Sequence, residues 1–516
     1  MKSYYFTEEH EMFRESLRSF LEKEVRPNID QWEKDGHIPR DLWKKMGELG
    51  FLGLSYPEEY GGANLGDFFF DVVFNEEIGR MNSGGFAIYQ QVVQYMSAPY
   101  ILKYGSEHLK QKYLPGLISG DLISSIGITE PGAGSDAQNI QTKAIREGDH
   151  YIVNGGKTFI TNGVHGDLII TVVKTDPEAG AAGVSLLIIE QKMEGVSARP
   201  LNKLGWHCSD TAELSFDDVK VPVENLIGQE GQGFYYLMNG LQLERLCAVP
   251  AAITAMEYAL EQSLQYMSER KAFGRNLNKF QVLRHRVAQM YAEVEALKAF
   301  SYYCCKMYDD GIYDVKLCSM AKLLATEKSE EIATKCLQFF GGYGFIEDYP
   351  LARMYRDVRV GTIGGGSSEI MREIIAKMVI DDVGYQAAPS PAKPSTNGSS
   401  HDNGHSQSNG SNGTNGMGQQ LDDILQQVAD KAAGTGALGN TIKFDFGEKQ
   451  LYLDGTGSQN EVSQKDEAAD CVVNVSMDDF GALLKGQLNP MQAMMSGKIS
   501  IDGDMGVAMK MQSLFG

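Results

Sequence analysis

The sequence predicts a multidomain protein: a mostly helical segment, a small β domain and a second helical segment, followed by a separate small α/β domain. Three observations lead to this expectation. The chain has 516 residues, more than one ordinary domain holds. The spacing of its apolar residues changes twice between a helical and a strand-like period. A low-complexity stretch at residues 385–418 then separates two segments of globular composition.

Residues 1–125 are expected to form the first helical domain. Phe13, Leu17 and Leu21 recur at helical spacing with charged residues between them. Residues 51–62 interrupt this pattern with glycines and a proline, which predicts a loop.

Residues 126–232 are expected to form the β domain. The runs 168–173 and 184–189 are short, rich in β-branched residues and bounded by Gly, Asp or Pro, and residues 212–216 alternate with period two. These features are typical of strands.

Helical spacing returns at residues 233–384. The segments 285–306 and 315–340 contain no proline and only helix-tolerant residues. Two long helices joined by a short glycine-containing turn predict an antiparallel bundle.

Residues 385–418 consist mainly of Ser, Asn, Gly and Pro, which predicts a flexible linker. Residues 419–516 regain globular composition and form the expected α/β domain. Its predicted elements are a helix at 421–432, strands at 441–446, 449–453 and 471–475, and a Met-rich helical end.

Composition argues against two kinds of partner. The formal net charge is −21, from 68 acidic and 47 basic side chains. Nucleic acids and anionic membrane surfaces attract basic proteins, so neither is expected to bind this chain. The seven cysteines show no metal-ligand spacing and their number is odd. We therefore expect reduced, mostly buried thiols and no metal site.

No targeting or membrane-spanning segment is recognisable. The N-terminus has no basic region before an apolar core and is not an Arg-rich presequence. No run approaches the roughly 18 apolar residues of a membrane span. The chain ends in SLFG, which is not a peroxisomal signal. A cytoplasmic protein is the resulting expectation.

A glycine-containing loop at residues 129–136, TEPGAGSD, opens the β domain. Its successive backbone N–H groups and hydroxyls could cradle a phosphate or the edge of a heteroaromatic ring. An ordinary turn explains the same residues. No GxGxxG follows a predicted strand, so a Rossmann nucleotide site is not supported.

Six motifs stand in a fixed order along the chain, and together they resemble the acyl-CoA dehydrogenase family over residues 5–380. They are PEEYGG at 57–62, TEPGAGSD at 129–136, KTFITNG at 157–163, RKAFG at 270–274, QFFGGYG at 338–344 and GGGSSE at 364–369.

This resemblance implies the acyl-CoA dehydrogenase fold: a helical N-terminal domain, a middle β-barrel and a C-terminal four-helix bundle, usually in a homotetramer. It also implies FAD between the β-barrel and the C-terminal bundle. Thr129, Ser135, Phe159 and Thr161 match positions that contact the flavin and its ribityl chain. Seven residues match positions on the pyrophosphate and adenosine side of FAD: Arg270, Phe273, Gln281, Gln338, Gly342, Ser367 and Glu369. The resemblance implies that Arg270 and Phe273 come from a neighbouring subunit.

The resemblance also places the catalytic base, which must take the α-proton of the acyl thioester. Many members carry a glutamate at the position of Gly365, which cannot act as a base. The long-chain and isovaleryl branches place their base at the position of Glu244, and this chain has a glutamate there. A carboxylate whose pKa is raised by burial suits the reaction. Alternatively, Glu244 is a solvent-facing helix acid.

Four residues are assigned to the substrate: Ser135, Gln242, Arg245 and Gly365. Glycine at 365 leaves room beside the substrate's α-carbon, an arrangement that the family links to long or branched acyl chains. Arg245 would position Glu244 or the CoA moiety. His207 is a candidate general acid, although a structural or substrate-lining role suits its place in a variable loop better.

Residues 477–515 resemble the end of a sterol-carrier-protein domain of the nonspecific lipid-transfer type. The shared features are KGQLNP, MSGKISIDGD and a terminal amphipathic helix. Methionines adapt to apolar ligands of different shapes, or they fill a core. Those at issue are Met491, Met494, Met495, Met505, Met509 and Met511. This domain is predicted to bind fatty acyl chains, acyl-CoA or sterol-like lipids without chemistry.

The sequence thus predicts FAD-dependent oxidation of a long- or branched-chain acyl-CoA to trans-2-enoyl-CoA. Electrons would pass to an electron-transfer flavoprotein, and the tethered domain would hold acyl lipid. Two alternatives stay open: an acyl-CoA oxidase that uses oxygen, and a lipid carrier in which the dehydrogenase fold is a scaffold without flavin.

Overall fold

The computed structural model of this chain describes residues 4–381, 439–447, 449–457, 459–465, 467–484 and 499–503. The chain divides into two compact units, with residues 66–381 and most of the preceding residues in the first unit and residues from 439 onward in the second. The predicted linker at 385–418 lies outside the described residues.

The N-terminal part of the first unit is helical, as predicted. Thr7 caps the first helix, since its side chain accepts the backbone N–H of His10. The side chain of His10 in turn accepts the backbone N–H of Thr7. The helix at 69–79 is buried along its whole length and forms the centre of this part. The α-helices are α1 Glu8–Phe20, α2 Ile29–Asp35, α3 Arg40–Glu48, α4 Phe69–Gly79, α5 Gly84–Gln91, α6 Ala98–Tyr104 and α7 Glu107–Ser119, with π-helical segments at Leu21–Val25 and Val92–Ser97.

An eight-stranded sheet follows. Its order is β6-β7-β3-β2-β4-β5-β8, and β1 pairs in parallel with β4. The predicted runs lie in β4, β5 and β7. The strands are β1 Ser124–Gly127, β2 Lys143–Glu147, β3 His150–Thr161, β4 Leu168–Lys174, β5 Val184–Glu190, β6 Val196–Pro200, β7 Thr211–Pro222 and β8 Leu226–Ile227.

Long helices form the rest of the first unit and pack with α4 around one apolar core. The predicted helices at 285–306 and 315–340 are found with slightly different ends. The elements are α8 Gly233–Glu269, a hairpin of β9 Lys271–Ala272 and β10 Arg275–Asn276, α9 Gln281–Asp309, α10 Val315–Phe339, α11 Pro350–Asp357 and α12 Ser368–Val379.

The second unit contains a five-stranded sheet in the order β13-β12-β11-β14-β15. The buried rings of Phe444 and Phe480 lie 4.7 Å apart in its core. Three strands match the prediction, whereas β13 and β15 were not predicted. The elements are β11 Thr441–Asp445, β12 Gln450–Asp454, β13 Glu461–Ser463, β14 Cys471–Val475, α13 Met477–Leu484 and β15 Ile499–Gly503.

Two further predictions for this unit, the helix at 421–432 and the six methionines from 491 to 511, lie outside the described residues. All seven cysteines are described; each is a buried thiol that forms no disulfide, as predicted. Within the described ranges, no helix combines the length and apolar character that crossing a membrane requires.

Candidate active site

Glu244 lies on α8 and is buried, with 7% of its surface exposed. The hydroxyl of Tyr100, from α6, donates a hydrogen bond of 2.8 Å to Oε1 of Glu244. Tyr100 is itself buried. The alternative interpretation of Glu244 as a solvent-facing helix acid is therefore wrong.

The surroundings of Glu244 make its carboxyl group an unusually strong base. Burial raises its pKa from an ordinary value of 4.5 to about 7, because the charged form loses its water. The hydrogen bond from Tyr100 and the positive charge of Arg245 oppose this rise. A buried carboxylate in this pKa range is suited to proton abstraction near neutral pH.

A glycine turn at 364–366 is tied to α8 through Arg245. The backbone of Gly365 has φ +65° and that of Gly366 has φ +94°, both in the left-handed region that glycine tolerates. Arg245 donates from Nε to the carbonyl of Gly365 at 3.3 Å. The structure thus brings three predicted residues, Glu244, Arg245 and Gly365, into one region.

Lys322 on α10 provides a second cation at this turn. Its Nζ donates to the carbonyl of Gly366 at 2.6 Å. Burial and the neighbouring Arg245 lower the pKa of Lys322 to about 8. Sequence reasoning did not identify Lys322, which lies in no motif, and it did not identify Tyr100 for the same reason.

Open space lies beside Gly365. A Cβ atom built at this position meets no heavy atom within 4 Å. Gln242, which is buried on α8, accepts a 3.5 Å hydrogen bond from Nη1 of Arg245. Ser135 is exposed on the loop at 129–136, and within the described part of the chain no hydrogen bond joins it to the other three residues assigned to the substrate.

A buried ion pair joins β3 to the loop at 129–136, the two segments assigned to the flavin. Lys157 is fully buried, and its Nζ donates to Oε1 of Glu130 at 2.7 Å. Glu130 also accepts the backbone N–H groups of Gln141 and Thr142. The backbone N–H of Thr158 donates to the carbonyl of Thr129 at 2.9 Å.

The surface formed by these loops suits a planar aromatic group. Phe159 is 68% exposed and has φ +62°, so its ring projects from an irregular part of β3. A Cβ atom placed at Gly132 or Gly134 would meet no heavy atom within 4 Å, and the nearby Ser135 is exposed. Thr161 is half-buried at the end of β3. An exposed aromatic ring, and exposed hydroxyl and backbone groups on the loop at 129–136, are the kinds of group that suit an isoalloxazine with a polar side chain.

The residues assigned to the far side of FAD lie on the surface of the helical bundle. Phe273, at the β9–β10 hairpin, is 96% exposed, and the guanidinium of Arg270 lies 5.6 Å from the ring centre of Tyr343. Gln338 and Gly342 are exposed near the end of α10. These groups are accessible to a ligand or to another subunit.

Two adjoining surface grooves contain the remaining assigned residues. One, of about 620 Å³, is lined by Ser367 and Glu369, and the other, of about 550 Å³, by Gln281. Lys335 lines both grooves. Ser367 caps α12 by accepting the backbone N–H of Ile370.

His207 contacts groups other than Glu244. Its Nε2 lies 3.1 Å from the carbonyl of Lys203, and its Nδ1 lies 3.8 Å from Glu33. These contacts favour the structural role over that of a general acid. Among the described residues, no group of His, Cys, Asp and Glu side chains could hold a metal ion.

Comparison with known proteins identifies the family. Residues 7–121, 125–219 and 231–380 match the family models for the N-terminal, middle and C-terminal domains of acyl-CoA dehydrogenase. The chain belongs to the acyl-CoA dehydrogenase family. Residues 421–516 match the SCP-2 sterol transfer family. The predicted family, fold and class of oxidoreductase, and the predicted sterol-carrier-type domain, are thereby confirmed.

Individual relatives agree with this assignment. The mitochondrial long-chain specific acyl-CoA dehydrogenase of Mus musculus is 40% identical over 382 residues, 73% of this chain and 88% of that protein. The mitochondrial isovaleryl-CoA dehydrogenase of Oryza sativa subsp. japonica is 37% identical over 375 residues, 72% of this chain and 91% of that protein. The crystal structure of acyl-CoA dehydrogenase from Geobacillus kaustophilus has a TM-score of 0.71 and 46% identity, covering 73% of this chain and 100% of that one.

Proposed function

We propose that this protein is an FAD-dependent dehydrogenase that converts a long- or branched-chain acyl-CoA to the trans-2-enoyl-CoA. The observation that carries the proposal is the buried carboxyl group of Glu244 on α8. The glycine turn at 364–366, which Arg245 ties to the same helix, offers no base of its own. Two relatives whose names specify long-chain and isovaleryl substrates support the substrate class.

Glu244 is the proposed base of the reaction. Its carboxylate takes the pro-R proton from the α-carbon of the thioester, and the electron pair of that C–H bond forms the double bond to the β-carbon. FAD, when bound, accepts the hydride that leaves the β-carbon. A pKa of about 7 leaves much of Glu244 ionised near neutral pH while keeping it basic enough to hold the proton.

FAD is proposed to bind at the exposed loops of the β domain and at the surface of the bundle. Thr129, Ser135, Phe159 and Thr161 are proposed to contact the flavin and its ribityl chain. Arg270 would bind the pyrophosphate, because a guanidinium matches phosphate oxygens in a bidentate fashion. The other residues proposed for this side of FAD are Phe273, Gln281, Gln338, Gly342, Ser367 and Glu369.

The open space at Gly365 supports a branched or bulky acyl chain. A Cβ atom at position 365, where many family members carry a glutamate, meets no heavy atom within 4 Å. Gln242 and Arg245 are proposed to line the same region from α8, and Ser135 to approach the substrate from the loop at 129–136.

A homotetramer is proposed as the assembly. The ring of Phe273, on a hairpin at the surface, is exposed and therefore available for the contact with a neighbouring subunit that the family resemblance implies. The sedimentation mass of the FAD-loaded protein tests this. Relatives of this chain are named as mitochondrial proteins, and the cytoplasmic location stays a prediction.

We propose an electron-transfer flavoprotein as the electron acceptor, as the family resemblance implies. Reoxidation of the substrate-reduced enzyme by such a flavoprotein in the absence of oxygen tests this. Rapid oxygen consumption without an added acceptor would instead identify an acyl-CoA oxidase.

The C-terminal domain is proposed to bind a fatty acyl chain, acyl-CoA or a sterol-like lipid. Its match to the SCP-2 sterol transfer family supports this class of ligand. The domain would supply binding and no chemistry. A purified protein without flavin that still binds these lipids would favour the alternative of a lipid carrier.

The decisive experiment is anaerobic bleaching of the bound flavin by a series of acyl-CoA thioesters of different length and branching. We expect long or branched thioesters to bleach the wild-type enzyme and Glu244→Gln to stay oxidised. Glu261→Gln is the matched control, because Glu261 lies on the same helix and pairs with Arg80 at the surface. Normal bleaching by Glu244→Gln would refute the assignment of the base.

A further inference from the structure

Tyr100 and Glu244 form a buried pair that joins two distant segments of the chain. They are 144 residues apart in sequence, and the Tyr100 hydroxyl lies 2.8 Å from Oε1 of Glu244. Both side chains are less than a tenth exposed. A hydrogen bond to a carboxylate in such surroundings is shorter and stronger than one between neutral groups.

Gly240 makes room for this hydroxyl. Gly240 lies four residues before Glu244 on α8, so both positions face the same side of the helix. A Cβ atom at 240 would lie 2.1 Å from the Tyr100 hydroxyl oxygen and 2.4 Å from Cζ. Any side chain at 240 must therefore displace the tyrosine or the helix. This glycine has no role in the turns assigned to the cofactor.

We propose that Tyr100 is a positioning residue that fixes the orientation of the Glu244 carboxylate and sets the pH range in which it accepts a proton, and that Gly240 is required for this contact. The inference rests on the proposed function, in which Glu244 is the base.

The direction of the effect follows from the hydrogen bond. Tyr100 donates to the ionised carboxylate, so it favours the charged form and opposes the rise in pKa that burial causes. Removing the hydroxyl is expected to raise the pKa of Glu244 further. Less of the base is then ionised at a given pH below the new value.

Other titratable groups surround this pair. On α8, Arg245 also favours the charged form of Glu244, and Cys247 lies nearby. Tyr104, one turn further along α6, lies near Tyr100. Three groups on neighbouring helices face Cys247: Asp71 on α4, Cys305 on α9 and Cys318 on α10. Lys322, also on α10, faces Arg245. None of these replaces the hydroxyl as a direct hydrogen-bond donor to Glu244 among the described residues.

A second buried tyrosine–carboxyl pair provides a matched control. The Tyr95 hydroxyl donates to Oδ1 of Asp71 at 2.9 Å, and burial raises the pKa of Asp71 to about 7. Tyr95→Phe therefore removes the same kind of bond from the same unit without touching Glu244.

The test is the rate of anaerobic flavin reduction by a saturating acyl-CoA, measured across about pH 5.5 to 9.5 in the full-length FAD-loaded enzyme. The variants are Tyr100→Phe, Gly240→Ala and Tyr95→Phe, with Glu244→Gln as reference. For Tyr100→Phe we expect the acidic limb of the pH–rate profile to move up by about one to two pH units. The loss of a hydrogen bond to a charged group shifts the pKa of that group by about this amount. The rate at high pH should recover to within several-fold of the wild-type rate.

Gly240→Ala should move the limb in the same direction, whereas Tyr95→Phe should leave it in place. Equal rate loss at every pH for Tyr100→Phe, or an unmoved limb for both Tyr100→Phe and Gly240→Ala, would overturn the inference. Normal flavin reduction by Glu244→Gln would instead refute the proposed base, which is a different result.

Discussion

At position 244 a glutamate lies within a helix of 37 residues, and its carboxyl group is closed off from water. The same residue type at position 261 of that helix lies at the surface and pairs with an arginine. The difference between the two residues is their surroundings. Burial gives Glu244 a pKa of about 7, which makes it a usable base.

The raised pKa of Glu244 predicts a pH dependence of the wild-type enzyme. The base acts only when ionised, so the rate of anaerobic flavin reduction should rise about tenfold per pH unit below about 7 and level off above it. Stopped-flow measurement between about pH 5 and 9 checks this. A rate that stays constant across this range would contradict it.

Replacing Gly365 should strain the backbone without causing a steric clash. Gly365→Ala should lower the free energy of unfolding by about 1 kcal/mol, because alanine is strained at φ +65° although its Cβ has free space. Turnover of a branched acyl-CoA should fall more than that of a straight-chain one.

Gly364→Ala is the control for this prediction. Its Cβ would lie at ordinary contact distance, 3.6 Å from the carbonyl of Val360, and its backbone is outside the left-handed region. Denaturant unfolding should show a change below about 0.5 kcal/mol. Equal losses for the two variants would argue against backbone strain as the cause.

At the scale of elements, the ion pair of Lys157 and Glu130 joins β3 to the loop before β2. Burial lowers the pKa of Lys157 to about 8, and the pairing with Glu130 opposes this fall. The strands supply an apolar core, and the ion pair joins the loop at 129–136 to β3.

Lys157→Met should destabilise the protein by about 3–5 kcal/mol, since it leaves the buried carboxylate of Glu130 without its counter-ion. Denaturant unfolding measures the loss, and bound flavin per chain should also fall. Glu130→Gln added to Lys157→Met should restore part of the stability.

Lys192→Met is the surface control. Lys192 is 87% exposed and lies 3.3 Å from Glu190, so its loss should cost no more than about 1 kcal/mol. If Lys157→Met were equally mild, the ion pair would not hold the loops.

At the scale of the whole molecule, the chain has two compact units with separate cores. Calorimetry of the full chain should therefore show two unfolding transitions. Palmitate at about 100 times its dissociation constant should stabilise only the smaller unit, by about 2.7 kcal/mol. A shift of the larger transition would contradict the placement of the lipid site.

The sequence correctly predicted the helical character of the two flanking segments, the two long helices α9 and α10, and the strands β4, β5 and β7. Long apolar periods and β-branched runs are local properties, so they can be recognised without the fold. It did not predict β13 or β15 of the second unit. β13 has three residues, and the sequence of β15 alternates Ser500 and Asp502 with its isoleucines, so neither offers a long apolar run. Pairing with neighbouring strands defines both.

By itself, the sequence determined the order of the domains, the family and the absence of a base at position 365, since these depend on residue identity and local spacing. Only the tertiary structure decided that Glu244 is buried, that Tyr100 donates to it and that Gly240 makes room for that hydroxyl. These contacts join residues far apart in the chain, and the strength of a base depends on the water and charges that the fold leaves around it.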